Sequence, residues 1–176
     1  MEKRVSLGIS AAFQIPPELK GIKLGKLALK ILEKRGVDNP KEELYKLAST
    51  LNLIEFLDRD LNVGFSGGEM KRAELLLLLA QKPKLALLDE IDSGVDVENI
   101  AVMGRAIEKL LVDGETSVLI VTHTGYIARH IKASKGYVMA GGMIKCYGPA
   151  DVVIKNVLQH GFDECLLCEV LRKREE

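Results

Sequence analysis

The 176-residue sequence predicts an α/β fold with a largely parallel sheet. Two short, mostly apolar runs, 85–88 and 117–122, have the composition of strands that are covered on both faces, as parallel strands usually are. Helical patterns precede, separate and follow these runs. This alternation of strands and helices is typical of a parallel sheet.

The composition limits the class of protein. The 25 Lys and Arg residues balance 25 Asp and Glu residues, which argues against a nucleic-acid partner bound through a large basic field. No apolar run is long enough to cross a bilayer and no secretory core opens the chain, so we expect no membrane insertion. Three cysteines do not suggest a disulfide framework, and the expected location is the reducing cytoplasm.

The first part of the chain is expected to be a loop region followed by helices. Residues 1–25 are predicted as loop and turns, with an apolar run at 7–13 that could end a strand. Apolar spacing predicts a helix over 24–35, and Asn39 is expected to cap a second helix. A short helix is expected over 54–57.

The later part of the chain carries the strands. A helix is predicted over 69–81, ahead of the first buried strand, and Asp96 is expected to cap the helix between the two strands. Gly141–Gly142 is expected to form the turn of a hairpin. A last amphipathic helix is expected to begin at Pro149 and to close near Gly161.

A serine and two glycines, Ser66, Gly67 and Gly68, stand immediately ahead of a predicted helix. Glycine lets backbone N–H groups approach an anion closely, and the helix N-terminus adds a favourable dipole. Taken alone, this pattern fits an ordinary capped turn better than an anion site.

Polar residues at the ends of the two buried strands favour an anion site over an ordinary capped turn. Asp89 and Glu90 leave the first strand, where an aspartate can hold Mg²⁺ and a glutamate can deprotonate water. His123 leaves the second strand. Ligands of open parallel sheets bind at the carboxyl ends of strands. The plainer alternative is a solvated loop and a structural histidine.

Together these motifs resemble those of the ABC-type ATPases. The resemblance rests on the segments 65–72 (FSGGEMKR), 84–96 (KLALLDEIDSGVD) and 121–123 (VTH), and it covers nearly the whole chain. Within these ATPases the sequence is most similar to SufC, the ATPase subunit of iron–sulfur cluster assembly, in its Phe-Ser-Gly-Gly-Glu and Asp-Glu-Ile-Asp-Ser-Gly stretches.

The resemblance implies a partial P-loop NTPase fold of the ABC ATPase type. Residues 1–176 would form one incomplete ABC ATPase domain. Within it, 15–64 would be the helical subdomain, and 65–176 the core with the signature, Walker B and switch-histidine motifs, ending in a β-hairpin and a helix.

The same resemblance implies catalytic and metal-binding roles. Gln14 would be the Q-loop residue that senses Mg²⁺ and the attacking water. Asp89 would be the Walker B aspartate that holds Mg²⁺, and Glu90 the catalytic base. His123 would be the switch histidine at the γ-phosphate of ATP.

Other residues would act across an ABC-type homodimer. The signature residues would bind ATP held by the partner subunit, and they are Ser66, Gly67, Gly68 and Glu69. Asp96 would be the D-loop acid that faces across the dimer. The implied function is a SufC-like ATPase that couples ATP binding and hydrolysis to iron–sulfur cluster assembly. SufB/SufD-like scaffold proteins would dock on the helical subdomain.

One motif of this family does not occur in the 176 residues, namely the Walker A loop G-x-x-x-x-G-K-[ST]. The nearest string, 21–27, is one residue short and lacks the terminal Ser or Thr. The chain therefore looks like the C-terminal portion of an ABC ATPase. Because ATP and Mg²⁺ both need that loop, we expect the isolated chain neither to bind ATP tightly nor to hydrolyse it. We also expect exposed apolar sheet edges and association.

Alternative interpretations remain open at this point. An ABC transporter ATP-binding subunit shares the same core motifs, and a non-catalytic interaction module or relic would keep only the docking surface. Half of a split SMC- or Rad50-like ATPase is disfavoured, because Gln14 and the signature share one segment without heptads. Cys165 and Cys168 form a single CxxC, which predicts two reduced thiols rather than a metal site.

Overall fold

The computed structural model describes residues 2–112 and 114–165 and divides the chain into two compact units, Met1–His130 and Ile131–Glu176. The strands are Ile9–Ala12 (β1), Leu19–Lys23 (β2), Asp60–Leu61 (β3), Leu85–Asp89 (β4), Ser117–Val121 (β5), Lys135–Ala140 (β6) and Met143–Pro149 (β7). The α-helices are Glu2–Ser6 (α1), Leu24–Lys34 (α2), Pro40–Thr50 (α3), Gly67–Ala80 (α4), Val97–Val112 (α5) and Ala150–Cys165 (α6). Two 3₁₀ helices span Ile54–Phe56 and Ile127–His130.

A three-stranded parallel sheet lies at the centre of the first unit, in the order β1-β4-β5. Ala12 pairs with Leu88, and Asp89 pairs with Val121, so the three strands end at one edge of the sheet. This arrangement places the segments that follow all three strands side by side. The predicted α/β fold with a parallel sheet is confirmed.

Helix α4 covers the β1 side of the sheet and contains a run of five leucines. Leu75, Leu76 and Leu78 are each at most 1% exposed. Helix α4 packs against β1, α2, α3 and α5, which explains why most of its residues are buried. By contrast, Leu119 and Val121 of β5 are 54% and 53% exposed, and β4 is the only strand paired with β5 in the described part of the chain.

The stretch predicted to be helical contains α2 and α3, which pack against each other, and it also contains a small antiparallel sheet. Leu19 of β2 pairs with Leu61 of β3. Strand β1 lies within the apolar run 7–13, where a strand was expected, but the prediction of loop and turns for the rest of 1–25 is wrong, because α1 and β2 lie there. These strands form by pairing with distant partners, which local patterns do not reveal. Asn39 precedes α3 but makes no side-chain capping bond.

The second unit contains the predicted hairpin and the last helix. Strands β6 and β7 pair antiparallel, and both residues of the Gly141–Gly142 turn have positive φ, which glycine adopts without strain. Val138, Cys146 and Val153 form its buried core. Helix α6 is interrupted at Gly161, whose φ of 79° and ψ of 177° are not helical, so its first and longer helical segment ends there as predicted. Within the described residues, no helix is long and apolar enough to cross a membrane.

Candidate functional site at the carboxyl edge of the sheet

Three of the predicted catalytic residues meet at the carboxyl edge of the sheet. Gln14 follows β1, Glu90 follows β4 and His123 follows β5. The Gln14 Nε2 donates to Glu90 Oε2 at 2.6 Å, and His123 Nδ1 lies 3.3 Å from Glu90 Oε1. The glutamate therefore has a different neighbour at each carboxylate oxygen, and each neighbour comes from a flanking strand.

The backbone of Glu90 is held in an unusual conformation. Its φ of 46° lies in the left-handed region, which costs a non-glycine residue about 1–3 kcal/mol. The Glu90 N–H donates to the Val121 carbonyl at 2.9 Å, so that β5 holds the residue in place. This geometry turns the side chain out of the strand direction and towards Gln14 and His123.

Lys71 of α4 lies beneath this cluster and is 6% exposed. Its Nζ donates to the carbonyl oxygens of Gln14 and, at 3.0 Å, of Glu90. Burial lowers the pKa of Lys71, and the charges of Glu90, Asp89, Glu74 and Asp92 oppose that shift. The sequence alone gives Lys71 no role, and its place in the segment FSGGEMKR, just ahead of a run of leucines, was the available signal.

Glu74 lies one turn further along α4, and its side chain is partly buried. The Phe13 N–H donates to Glu74 Oε1 at 3.2 Å, which fixes the backbone just before Gln14. Burial raises the pKa of Glu74, while the Phe13 hydrogen bond and the charge of Lys71 oppose the rise. Lys71 and Glu74 thus brace the Gln14 segment from the same helix.

Asp92 is a second residue whose role the sequence did not reveal. It is 2% exposed and accepts from Thr122 Oγ1 at 2.8 Å and from the Ile127 N–H at 3.3 Å. Thr124 Oγ1 also donates to this carboxylate. Because Thr122 and Thr124 flank His123, the buried aspartate fixes the backbone that carries the imidazole. The Thr-x-Thr pattern around a histidine was the available signal.

The signature-like residues form the N-terminus of α4. The Ser66 Oγ accepts from the Glu69 N–H at 3.3 Å, and Glu69 Oε2 accepts from the Ser66 N–H at 2.7 Å. This reciprocal pair is a capping box. An added Cβ at Gly68 would lie 3.2 Å from Asn99 Nδ2, so that α4 approaches the start of α5 closely here.

Asp96 caps α5 beside this glycine. Its Oδ1 accepts from the Asn99 N–H at 2.9 Å, and the hydrogen bonds from Asn99 lower the pKa of Asp96. Asn99 contacts both Asp96 and the approach to Gly68, so the structure brings the signature and Asp96 into one neighbourhood. Their action on a nucleotide across a dimer stays a prediction.

Asp89 is the remaining candidate, and it is exposed at the end of β4. In the part of the chain that the structure describes, no group of three or more His, Cys, Asp or Glu residues could hold a metal. Mg²⁺ commonly uses one or two carboxylates with phosphates and waters, and an exposed carboxylate beside Glu90 fits that pattern. Cys168 lies outside the described residues, as does the side chain of Cys165.

Comparisons with known proteins give matches to a family model and to curated relatives. The ABC transporter family model matches residues 3–93. The chain is 37% identical over 174 residues to a probable ATP-dependent transporter, ycf16, of Antithamnion sp., covering 92% of this chain and 68% of that protein. It is 34% identical over 158 residues to a probable ABC transporter ATP-binding protein of Streptococcus pyogenes serotype M3, covering 85% of this chain and 61% of that protein.

Solved structures show the same fold at low sequence identity. A nucleotide-free ATP-binding cassette from an ABC transporter matches with a TM-score of 0.68 and 23% identity, covering 94% of this chain and 70% of that one. The dimeric bacterial ABC transporter cassette MJ0796 matches with a TM-score of 0.70 and 19% identity, covering 84% of this chain and 66% of that one. The chain spans about two thirds of the length of the curated relatives it matches, with covered shares of 68%, 64% and 67%.

Proposed function

The chain belongs to the ABC transporter family, and from that premise we propose that it works in a SufC-like ABC ATPase subunit. In this proposal, ATP binding and hydrolysis by the subunit drive a conformational change in an iron–sulfur cluster assembly partner. The observation that carries the ATPase part is the convergence of Gln14 and His123 on the two carboxylate oxygens of Glu90.

The chemistry follows from what these side chains can do. Glu90 accepts a proton from the water that attacks the γ-phosphate of ATP, so that ADP, phosphate and a proton are the products. Gln14 orients the carboxylate and the water, and His123 contacts the transferred phosphate. Each carboxylate oxygen has two acceptor positions, so a water can join Glu90 without displacing both neighbours.

Asp89 is the residue that would hold Mg²⁺ in this proposal, with Gln14 as a second ligand. Bound Mg²⁺ would neutralise charge on the β- and γ-phosphates. Asp89 leaves the same strand as Glu90 and is accessible, which suits an ion that keeps waters and phosphates among its ligands.

The signature segment completes the proposed site in a dimer. Ser66 and the N-terminal amides of α4 bind the γ-phosphate of ATP held by a second subunit, because a helix N-terminus with glycines favours an anion. Asp96 contacts the same interface. Neither the loop that would cradle the other phosphates nor its Lys occurs in the 176 residues.

The assignment to iron–sulfur assembly is supported by the Phe-Ser-Gly-Gly-Glu and Asp-Glu-Ile-Asp-Ser-Gly stretches of the sequence. A transporter ATP-binding subunit is the second candidate, because the relatives carry transporter names. In either case, we propose that residues 15–64 form a helical docking subdomain on the core formed by 65–176. This stretch exposes Ile22, Tyr45 and Ile54, which are 42%, 58% and 45% exposed.

An ATPase assay tests the catalytic part of the proposal. We expect no turnover above background from the 176-residue chain alone. We expect Mg²⁺-dependent turnover when the chain is joined to a strand-and-loop segment that carries G-x-x-x-x-G-K-[ST]. Turnover at an ordinary rate by the chain alone would contradict the assigned need for the loop, and an inactive, folded fusion would contradict the catalytic site.

A binding assay separates the two candidate partners. We expect a SufB/SufD-like scaffold to retain the chain, and an Ile54→Glu variant to lose that binding. Val112→Glu is the matched control. Val112, like Ile54, is an exposed β-branched aliphatic residue, but it lies in α5, outside the docking stretch. Binding to a transporter membrane subunit instead of the scaffold would favour the second candidate.

A further inference from the structure

A buried amide joins the Gln14 segment to the loop in front of the signature. Asn62 follows β3 and is 1% exposed. Its Nδ2 donates to the Pro17 carbonyl at 2.8 Å. Pro17 lies three residues after Gln14, and Asn62 lies four residues before Ser66. The bond therefore joins the segment that begins at Gln14 to the segment that leads into Ser66.

The local geometry indicates that position 62 requires the side-chain amide of asparagine for this bond. Its φ of 61° is left-handed, a conformation in which asparagine is enriched among non-glycine residues. Only the Nδ2 can donate to a carbonyl, so the bond fixes the orientation of the amide. The buried Oδ1 then has no hydrogen-bond partner among the described residues, which is unfavourable. A glycine would satisfy the backbone without that cost, but it could not make the bond to Pro17.

Both linked segments are constrained by their own residues. Pro16 and Pro17 have φ fixed by their rings. On the other side, the Arg59 guanidinium lies 4.8 Å from the ring centroid of Phe65, and its Nη2 donates to the Gly64 carbonyl at 3.2 Å. Phe65 also packs edge-on against Phe56 at 5.1 Å. These contacts hold Gly64 and Phe65, which immediately precede Ser66. The Asn62 side chain bonds the same stretch of chain to the Gln14 segment.

We propose that Asn62 is a positioning residue that couples the placement of Gln14 to the placement of the signature serine Ser66. What the two ends do with a nucleotide rests on the proposed function, but the coupling itself does not. A second route through the Lys71 ammonium group also joins α4 to Gln14.

Hydrogen exchange of the whole 176-residue chain tests the coupling without any nucleotide. The measured quantity is the change that Gln14→Ala produces in the exchange rate of amides at 63–71. We expect Gln14→Ala to raise those rates by roughly fivefold in the parent chain. In the Asn62→Gly background, we expect the same substitution to change them by less than about twofold.

The matched control is Asn52→Gly, because Asn52 is also a left-handed asparagine, with φ of 53°, but is exposed and makes no bond to Pro17. The full effect of Gln14→Ala should persist in that background. An undiminished effect in the Asn62→Gly background would overturn the proposal and assign the coupling to Lys71. If Asn62→Gly also accelerates exchange in the central strand at 85–89 of the same unit, Asn62→Asp is used under the same two criteria.

Discussion

At the scale of single residues, the candidate site depends on how Glu90 is held. The left-handed backbone, the bond from Gln14 and the nearby His123 all fix the same carboxylate. Lys71 holds the carbonyl of the same residue from below. Because these contacts come from separate elements, the position of the carboxylate is determined by the folded molecule as a whole and not by the local sequence.

Replacing Glu90 by Gln tests its role as the base. The substitution keeps the shape and one acceptor oxygen but removes the basic carboxylate, so we expect ATP turnover by the loop-bearing fusion to fall about 10²-fold or more. A steady-state phosphate-release assay measures this. Glu98→Gln, at an exposed glutamate in the first turn of α5, is the control and should retain full turnover. A Glu90→Gln fusion as active as the parent would rule Glu90 out.

The pKa of Glu74 predicts a specific pH dependence of stability. Burial raises that pKa above the ordinary 4.5, so the folded state binds the proton more tightly than the unfolded state does. The resulting stability is fully present below pH 4.5 and is lost as the pH rises through the folded-state pKa.

We therefore expect the free energy of unfolding of the parent chain, relative to Glu74→Gln, to decline as the pH rises above 4.5 and then to level off. Urea unfolding of both chains over a series of pH values measures the difference. Parallel curves for the two chains would show that Glu74 has the same proton affinity in the folded and unfolded states.

At the scale of elements, helix α5 and the 3₁₀ helix Ile127–His130 approach unusually closely. A Cβ added to Gly104 would lie 2.3 Å from His130 Cβ, a distance that real Cβ atoms do not show. Glycine within a helix ordinarily costs about 1 kcal/mol relative to alanine. The close approach explains why glycine occupies this position in α5 despite its lower helix propensity. It also places the segment after His123 against the helix.

Gly104→Ala should therefore destabilise the chain despite its better helix propensity, by about 1–3 kcal/mol from overpacking. Thermal or urea unfolding measures the change. His130→Gly removes the opposing Cβ, so the double variant should recover part of the loss, as expected for two residues in contact. Additive losses in the double variant would show that the contact is not the cause.

Some of the secondary-structure elements could be predicted from the sequence alone, and others could not. The apolar runs predicted β4 and β5, and Gly141–Gly142 predicted the hairpin, because these signals are local. The apolar run 7–13 indicated β1, whereas β2 was missed because it is short and depends on a distant partner. The motifs identified Glu90 and His123, whereas the contacts that Lys71, Asp92 and Asn62 make with distant segments are known only from the folded structure.

At the scale of the whole molecule, the outer edge of β5 is the most exposed apolar part of the sheet. The strand 117–121 has no charged residue or proline to protect its edge. Leu119 and Val121 lie on one face and are each more than half exposed. Such an edge can pair with another chain, so the expected association of the 176-residue chain has a definite location.

Leu119→Lys should weaken that association. A charge on the exposed face of an edge strand opposes pairing with a second copy, so the sedimentation distribution should shift towards monomer. Val112→Lys is the control, because Val112 is 77% exposed but lies in a helix, and it should leave the distribution unchanged. A parent chain that sediments only as a monomer at the same concentrations would contradict the prediction.

The parallel register of β4 has a consequence for changes in chain length. Side chains alternate along a strand, so one inserted residue within 85–89 would turn Ala86 and Leu88 out of the interior. The same insertion would carry Glu90 away from both flanking strands at once, and neither neighbour could follow it. An insertion in the turn between α2 and α3 shifts no strand, so length variants of this protein should accumulate there and be absent from β4.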